Sequence, residues 1–325
     1  MAGKASDFIP ALKYGNKIHP EDLAGMVGLP HVGNVYYVDP TNGSDTANAG
    51  KQWNDAFASV GQFESTATDN NYDVCILAPG LHAASDETSA ITWEKDHLSL
   101  VGNVAPVGIS QRARVLANTS VSPMITVSGY GNNFKNVQLA SWNDNNILMT
   151  VTGSRNYFSN VHFAGIGNAT TGDDTAARVL YMNGAQECRF DDCVFGVDTV
   201  MRSTTNATVE FASSASRNRF FECEFIMAAD NVGPNHILLT GSSAIDRWLR
   251  FHNCSWYSFW TNDSDKVTHV IDAAAQTATG HIRMTGSNDM VGFDDWEAAN
   301  SSKVWFQGYT NTSNVVGIAI NPSVS

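Results

Sequence analysis

Two carboxylates, Asp192 and Glu222, are the residues of this chain best placed to do chemistry together. They hold matching positions in two segments that line up, FDDCVF (Phe190 to Phe195) and FFECEF (Phe220 to Phe225). If those segments are paired strands, the carboxylates lie roughly 5 Å apart, one strand spacing. Two acids about 5–10 Å apart are what glycoside hydrolysis needs, and the short end of that range suits a retaining enzyme. The remaining acid pairs, Asp173-Asp174, Asp191-Asp192 and Asp294-Asp295, are adjacent in sequence. Neighbours on a strand point to opposite faces, so such pairs make poor dyads. Arg189 and Arg219 precede the same two Phe residues and are expected to stack outward beside Asp192 and Glu222. As solvated ion pairs they would contribute under ~1 kcal/mol each.

Other chemistry finds less material. The nine histidines show no HxxxH or comparable spacing, and the five cysteines no CxxC. The sequence therefore implies no metal site and no cofactor, and it carries no glycine-rich phosphate loop. An odd cysteine count without zinc spacing reads as reduced, buried thiols. Asp192 and Glu222 also have a structural reading. They share their position with Asn136, Asn160 and Asn253, which suggests a ladder of hydrogen-bonding corner residues. On that reading catalytic residues are absent, and Asp192 and Glu222 are candidates only if the protein is an enzyme.

The elements that place these residues come from a repeat. Five segments share one template: FKNVQL (from Phe134), FSNVHF (from Phe158), FDDCVF (from Phe190), FFECEF (from Phe220) and FHNCSW (from Phe251). Successive Phe residues are 24, 32, 30 and 31 positions apart. Within the template Val/Cys and the last large residue alternate as in a strand, but Phe lies three positions before Val/Cys. A bend at the third residue, Asn, Asp or Glu, restores the inward direction of all three. Asn and Asp suit the left-handed backbone of such a corner. A second element precedes each template: Val127-Ser-Gly129, Val151-Thr-Gly153, Met182-Asn-Gly184, Phe211-Ala-Ser213 and Leu239-Thr-Gly241. Fixed strand modules with loops of variable length describe a solenoid. The expected fold is all-β, a single right-handed parallel β-helix. The Phe residues should form one ladder in its core, and Val137, Val161, Cys193, Cys223 and Cys254 another.

At the N-terminal end, Asn34 to Pro40 reads as a strand stopped by Asp-Pro, and Asp73 to Leu77 as the next strand. Between them Trp53, Phe57 and Val60 recur at helical spacing, predicting a short helix that caps the open first coil. The expected organisation is an N-terminal arm over 1–33, the β-helix over 34–302 and a strand-like tail over 303–325. In the arm, Pro20-Glu21-Asp22-Leu23 starts a helical turn and Gly28-Leu29-Pro30 stops it. Its apolar anchors Ile18, Leu23, Met26 and Leu29 are too few for a core, so they either pack on the solenoid or form an attachment surface. The tail runs Val304 to Phe306 and Val315 to Ile320 could pair with another subunit.

The strand VYYVDPTNGSD, a short helix and then DVCILAPGLH resembles the first coil of pectate-lyase-like (pectin lyase fold) β-helix proteins, which include many bacteriophage tail spikes and virion decorations. The resemblance spans about residues 34 to 290. It implies the fold; activity does not follow, because the fold hosts lyases, hydrolases and inert structural proteins. Active relatives use outward carboxylates on a groove, or acidic calcium ligands with an arginine base, and no run matching the latter occurs here. The turn Pro20 to Leu23 also looks like those in the arms of phage virion proteins. The resemblance implies a virion location and a homotrimer, with a major capsid or tail protein as partner. Its role would be a capsid decoration (cement) or tail-associated structural protein. The alternative is a tail-spike depolymerase acting on a host surface glycan.

Composition bears on partners. The formal charge of −13 repels phosphate backbones, so nucleic acid is not an expected partner. No apolar run approaches the ~20 residues of a membrane span. Residues 1–10, MAGKASDFIP, lack a secretory apolar stretch, so the chain is expected to fold where it is made.

Deleting residues 1–33 should leave a folded trimer that no longer attaches to particles lacking the native copy. Undiminished attachment would remove the arm's role, and a monomer by light scattering would remove the trimer.

Overall fold

A computed structural model describes residues 33–80, 87–117, 119–260, 262–297 and 301–307. The arm with Ile18, Leu23, Met26 and Leu29, and the tail run Val315 to Ile320, lie outside the described residues. Within them the chain winds as a parallel β-helix. A ten-stranded sheet and two eight-stranded sheets run along its length, and every strand pairing is parallel.

The template's Phe strands form the ten-stranded sheet, and its Val/Cys strands form the next. Between them stands one residue, at φ 55° for Asn136, 51° for Asn160 and Asp192, 54° for Glu222 and 52° for Asn253. This is the left-handed region, which Asn and Asp tolerate best and Glu enters at a cost. The corner does not interrupt pairing. Asn160, Asp192 and Glu222 each donate their N–H to the next coil, to Asp191, Phe221 and His252 carbonyls at 2.9, 3.0 and 2.9 Å. The second sequence element makes the third sheet, with Val127, Val151, Met182, Phe211 and Leu239 in register.

One core ladder runs through all ten strands: Tyr36, Cys75, Leu100, Phe134, Phe158, Phe190, Phe220, Phe251, Met284 and Phe306. The five consecutive Phe rings from Phe134 to Phe251 stack at centroid separations of 4.9, 4.7, 4.5 and 4.8 Å. A second ladder, Leu139, Phe163, Phe195, Phe225 and Trp256, meets it edge-on. Offset stacks and edge contacts are the favourable arrangements for aromatic rings. Cys193, Cys223 and Cys254 stack in the Val/Cys ladder, each thiol donating to a carbonyl of the preceding coil. All five cysteines are free and buried, and burial pushes Cys223 and Cys254 well above the ordinary thiol value, and Cys188 up to about 12. Such thiols are packing groups, not nucleophiles.

Two elements differ from expectation. The capping helix runs over Val60–Thr66, later than the spacing of Trp53, Phe57 and Val60 predicts. Trp53 is 42% exposed in a 3-10 turn, and Phe57 bridges Val38 in extended backbone. Ser59 decides the start: its side chain accepts from the Gln62 N–H and caps the helix. Phe63, not Trp53, then packs on Tyr36 and Trp93 over the open coil. At the other end Val304–Phe306 pairs with His281–Thr285 of its own chain, so this tail strand adds the last rung of the ten-stranded sheet.

Phe190→Ala should cost ~3–5 kcal/mol, because its neighbours above and below are fixed by strand pairing and cannot collapse into the void. Phe221→Ala, the half-buried outward neighbour in the next coil, should cost below ~1.5 kcal/mol. Denaturant unfolding compares the two, and equal losses would mean that the core stack is not the dominant contact.

Candidate functional site

The corner residues do not face an open surface over their whole length. The segment from Asn103 to Ala113 leaves the ten-stranded sheet at Gly102 and folds back across them before the strand Arg114–Ala117. Backbone donors fasten it. Gly108 N–H donates to Asn160 Oδ1 at 3.1 Å, and Ser110 N–H donates to His162 Nδ1 at 3.0 Å. A donor on Nδ1 leaves the imidazole proton on Nε2, which donates to the Gly196 carbonyl at 3.0 Å. Burial, with Arg114 nearby, holds His162 below its ordinary value. His162 is thus a neutral clamp with both nitrogens engaged, and it has no lone pair left for proton transfer.

Between this segment and the corners lies a groove of about 670 Å³, lined by Val107, Ile109, Lys135, Asn136, Asn160, Asp192, Glu222 and Glu224 among others. The sequence-predicted pair is therefore brought together, on adjacent coils, inside a groove. Both side chains are exposed, not buried at the bend as the corner position suggests. Partial burial, then Glu222 and then Asp191, raise the Asp192 carboxyl above its ordinary value of 3.8. Further along, the corner side chains are used internally: Asn160 Nδ2 donates to Asn136 Oδ1 at 3.0 Å.

The expected arginine partners are elsewhere. Arg189 Nε lies 2.8 Å from Asp191 Oδ1, and Tyr157 donates to the other Asp191 oxygen at 2.9 Å. Arg189 and Asp191 are two apart on one strand and share its outward face, whereas Asp192 has already turned the corner. Arg219 sits over the Trp248 ring at 5.3 Å and pairs with no acid among the described residues. The groove carboxylates thus lack the cations that the sequence assigned to them. Sequence reasoning also missed Glu224, although alternation between buried Cys223 and Phe225 makes it outward. It missed the buried pair Arg178–Glu210 too, since these residues belong to strands outside the template. No group of three or more His, Cys, Asp or Glu among the described residues is placed to hold a metal ion.

A raised carboxyl pKa makes ionisation of Asp192 cost the folded state. That cost is absent below pH 3.8, sets in as pH rises through the higher folded value, and persists above it. Asp192→Asn should therefore raise the melting temperature near neutral pH and lose the advantage at the acidic end. A variant that gains equally at both ends would show that charge is not the cause.

No family model and no curated protein matches the sequence. Solved structures do. A pectin methylesterase in complex with a hexasaccharide is 14% identical, with a TM-score of 0.52 over 87% of this chain and 91% of that one. The pectin methylesterase of Aspergillus niger is 11% identical, with a TM-score of 0.54 over 90% and 92%. A Geobacillus virus E2 protein, ORF18, is 12% identical with a TM-score of 0.44 over 83% and 61%. At these identities the pectin methylesterases establish the architecture: the chain is a right-handed parallel β-helix of the kind those enzymes have.

Proposed function

We propose that this chain is a non-catalytic structural β-helix of a bacteriophage particle, a capsid decoration or a tail-associated element, built as a homotrimer attached through residues 1–33. The observation that carries the non-catalytic part is the corner ladder. Asp192 and Glu222 occupy a position whose left-handed backbone recurs at Asn136, Asn160 and Asn253. The left-handed corner is filled by a polar residue in all five template coils, so the acids need no catalytic reason to be present. The particle assignment is supported by the likeness of the first coil to β-helices among which phage spikes and decorations are frequent.

A second reading has its own support: a tail-spike depolymerase of host surface polysaccharide. Asp192, Glu222 and Glu224 line one groove, and a carboxyl raised above its ordinary value, as at Asp192, suits proton donation to a leaving oxygen. Purified protein incubated with host capsule or lipopolysaccharide separates the two. The structural reading expects no new reducing ends, and Asp192→Asn and Glu222→Gln should leave particle attachment intact. Reducing ends released by the native protein and abolished by either folded variant would establish the enzyme.

A further inference from the structure

The outward face of the ten-stranded sheet carries six residues in register on consecutive strands: Tyr157, Arg189, Arg219, Arg250, Arg283 and Trp305. At the usual strand spacing this file is about 24 Å long. Tyr157, Arg189, Arg219 and Arg283 are exposed, and Arg250 and Trp305 are half-buried. Like charges directly opposite on paired strands repel, and here three successive pairings put arginine against arginine. Carboxylates do not relieve this. Arg189 has Asp191, but Arg219, Arg250 and Arg283 have no acid partner among the described residues. Aromatic rings hold three of the guanidinium groups instead, and Arg250 Nε also donates to Thr285 Oγ1 at 3.0 Å. Arg189 and Arg250 lie over Phe221 at 4.8 and 5.5 Å, and Arg219 over Trp248 at 5.3 Å. The file ends in a hollow of about 390 Å³ lined by His281, Arg283, Thr285 and Trp305. A single-file cationic track thus stands on a chain of net charge −13.

We propose that this track binds a linear acidic polysaccharide laid along the helix axis. Its carboxylates would engage the guanidinium groups of Arg219, Arg250 and Arg283, and sugar rings would rest on Tyr157 and Trp305 at the two ends. The guanidinium fork matches a carboxylate in two parallel hydrogen bonds. One cation per coil, in one line, suits a polymer that carries an acid in each short repeat. A nucleic acid fits worse. Duplex phosphates flank wide grooves, and single strands bind by stacking bases on open aromatic faces, whereas Phe221 and Trp248 are already covered by guanidinium groups. The track runs beside the groove of Asp192 and Glu222, whose Lys135 and Ser159 stand on the same outward face, but none of its residues lines that groove, so binding here needs no cleavage there.

Calorimetry on the full chain tests this with three probes: a glucuronic acid octamer, the same octamer methyl-esterified, and an octathymidylate. The acidic octamer should bind, more weakly as salt rises, and the ester should not. The double variant R219Q/R250Q, at positions outside the core, should weaken binding roughly tenfold or more. R283Q alone should weaken it less, and D192N/E222Q should leave it unchanged. Near-ultraviolet circular dichroism checks that each variant is folded, and R283Q carries the test if the double variant is not. Failure of the acidic octamer to bind, equal binding of the ester, or unchanged affinity in folded arginine variants would overturn the proposal. Thymidylate binding as tight as the acidic octamer would overturn it too, since charge alone would then suffice.

Discussion

In each of the five coils that carry the template, the chain turns between its first two sheets within a single residue. That turn lets two inward side chains stand only three positions apart, Phe190 and Cys193 or Phe220 and Cys223, and both reach the core. It requires a left-handed backbone, so the residue must be one that tolerates positive φ, and its side chain must leave the interior. The stacked Phe rings, the thiol ladder and the outward acids are all consequences of this one conformational demand. Glu222 shows that the demand is not absolute. Its backbone adopts the same conformation as its neighbours because strand pairing on both sides imposes it.

The same constraint makes structure and chemistry hard to separate at the groove. A corner that takes a left-handed backbone, points outward and carries a polar residue in five successive coils yields a row of hydrogen-bonding groups whether or not a ligand uses them. What distinguishes the Asp192 and Glu222 coils is where the overlying segment ends. Asn136 and Asn160 lie beneath it and spend their amides on each other and on Gly108. The two acids stand at its open edge.

Much of this was legible in the sequence, because a solenoid writes its period into residue spacing. The Phe ladder, the Val/Cys ladder, the corner residues and the third-sheet element were all readable from the template. What escaped lies where the repeat is silent. The segment from Asn103 to Ala113 has no counterpart in the five template coils, so neither the groove nor the His162 clamp could be anticipated. The capping helix was displaced because Trp53, Phe57 and Val60 have helical spacing, whereas a Ser cap at position 59 sets where the helix can begin. The partner of Arg189 was assigned across the corner when strand alternation puts Asp191 on its own face. Arg283 precedes the next member of the same ladder, but Met284 does not look like a template Phe, so the repeat does not reveal it.

Parallel pairing along the whole length has a mechanical consequence. The hydrogen bonds between coils point along the helix axis, so a pull on the two ends loads them in series, one coil after another, and the rod would part at its weakest rung. The second sheet narrows to two residues at Val194–Phe195, while its neighbours in the same coil keep three and six. A sideways push is different, because it meets interlocked rings from two ladders at once. A rod of this design is stiff against bending and compression and comparatively easy to unzip lengthwise from an exposed end, which gives the helix over Val60–Thr66 and the strand Val304–Phe306 a role as end stops.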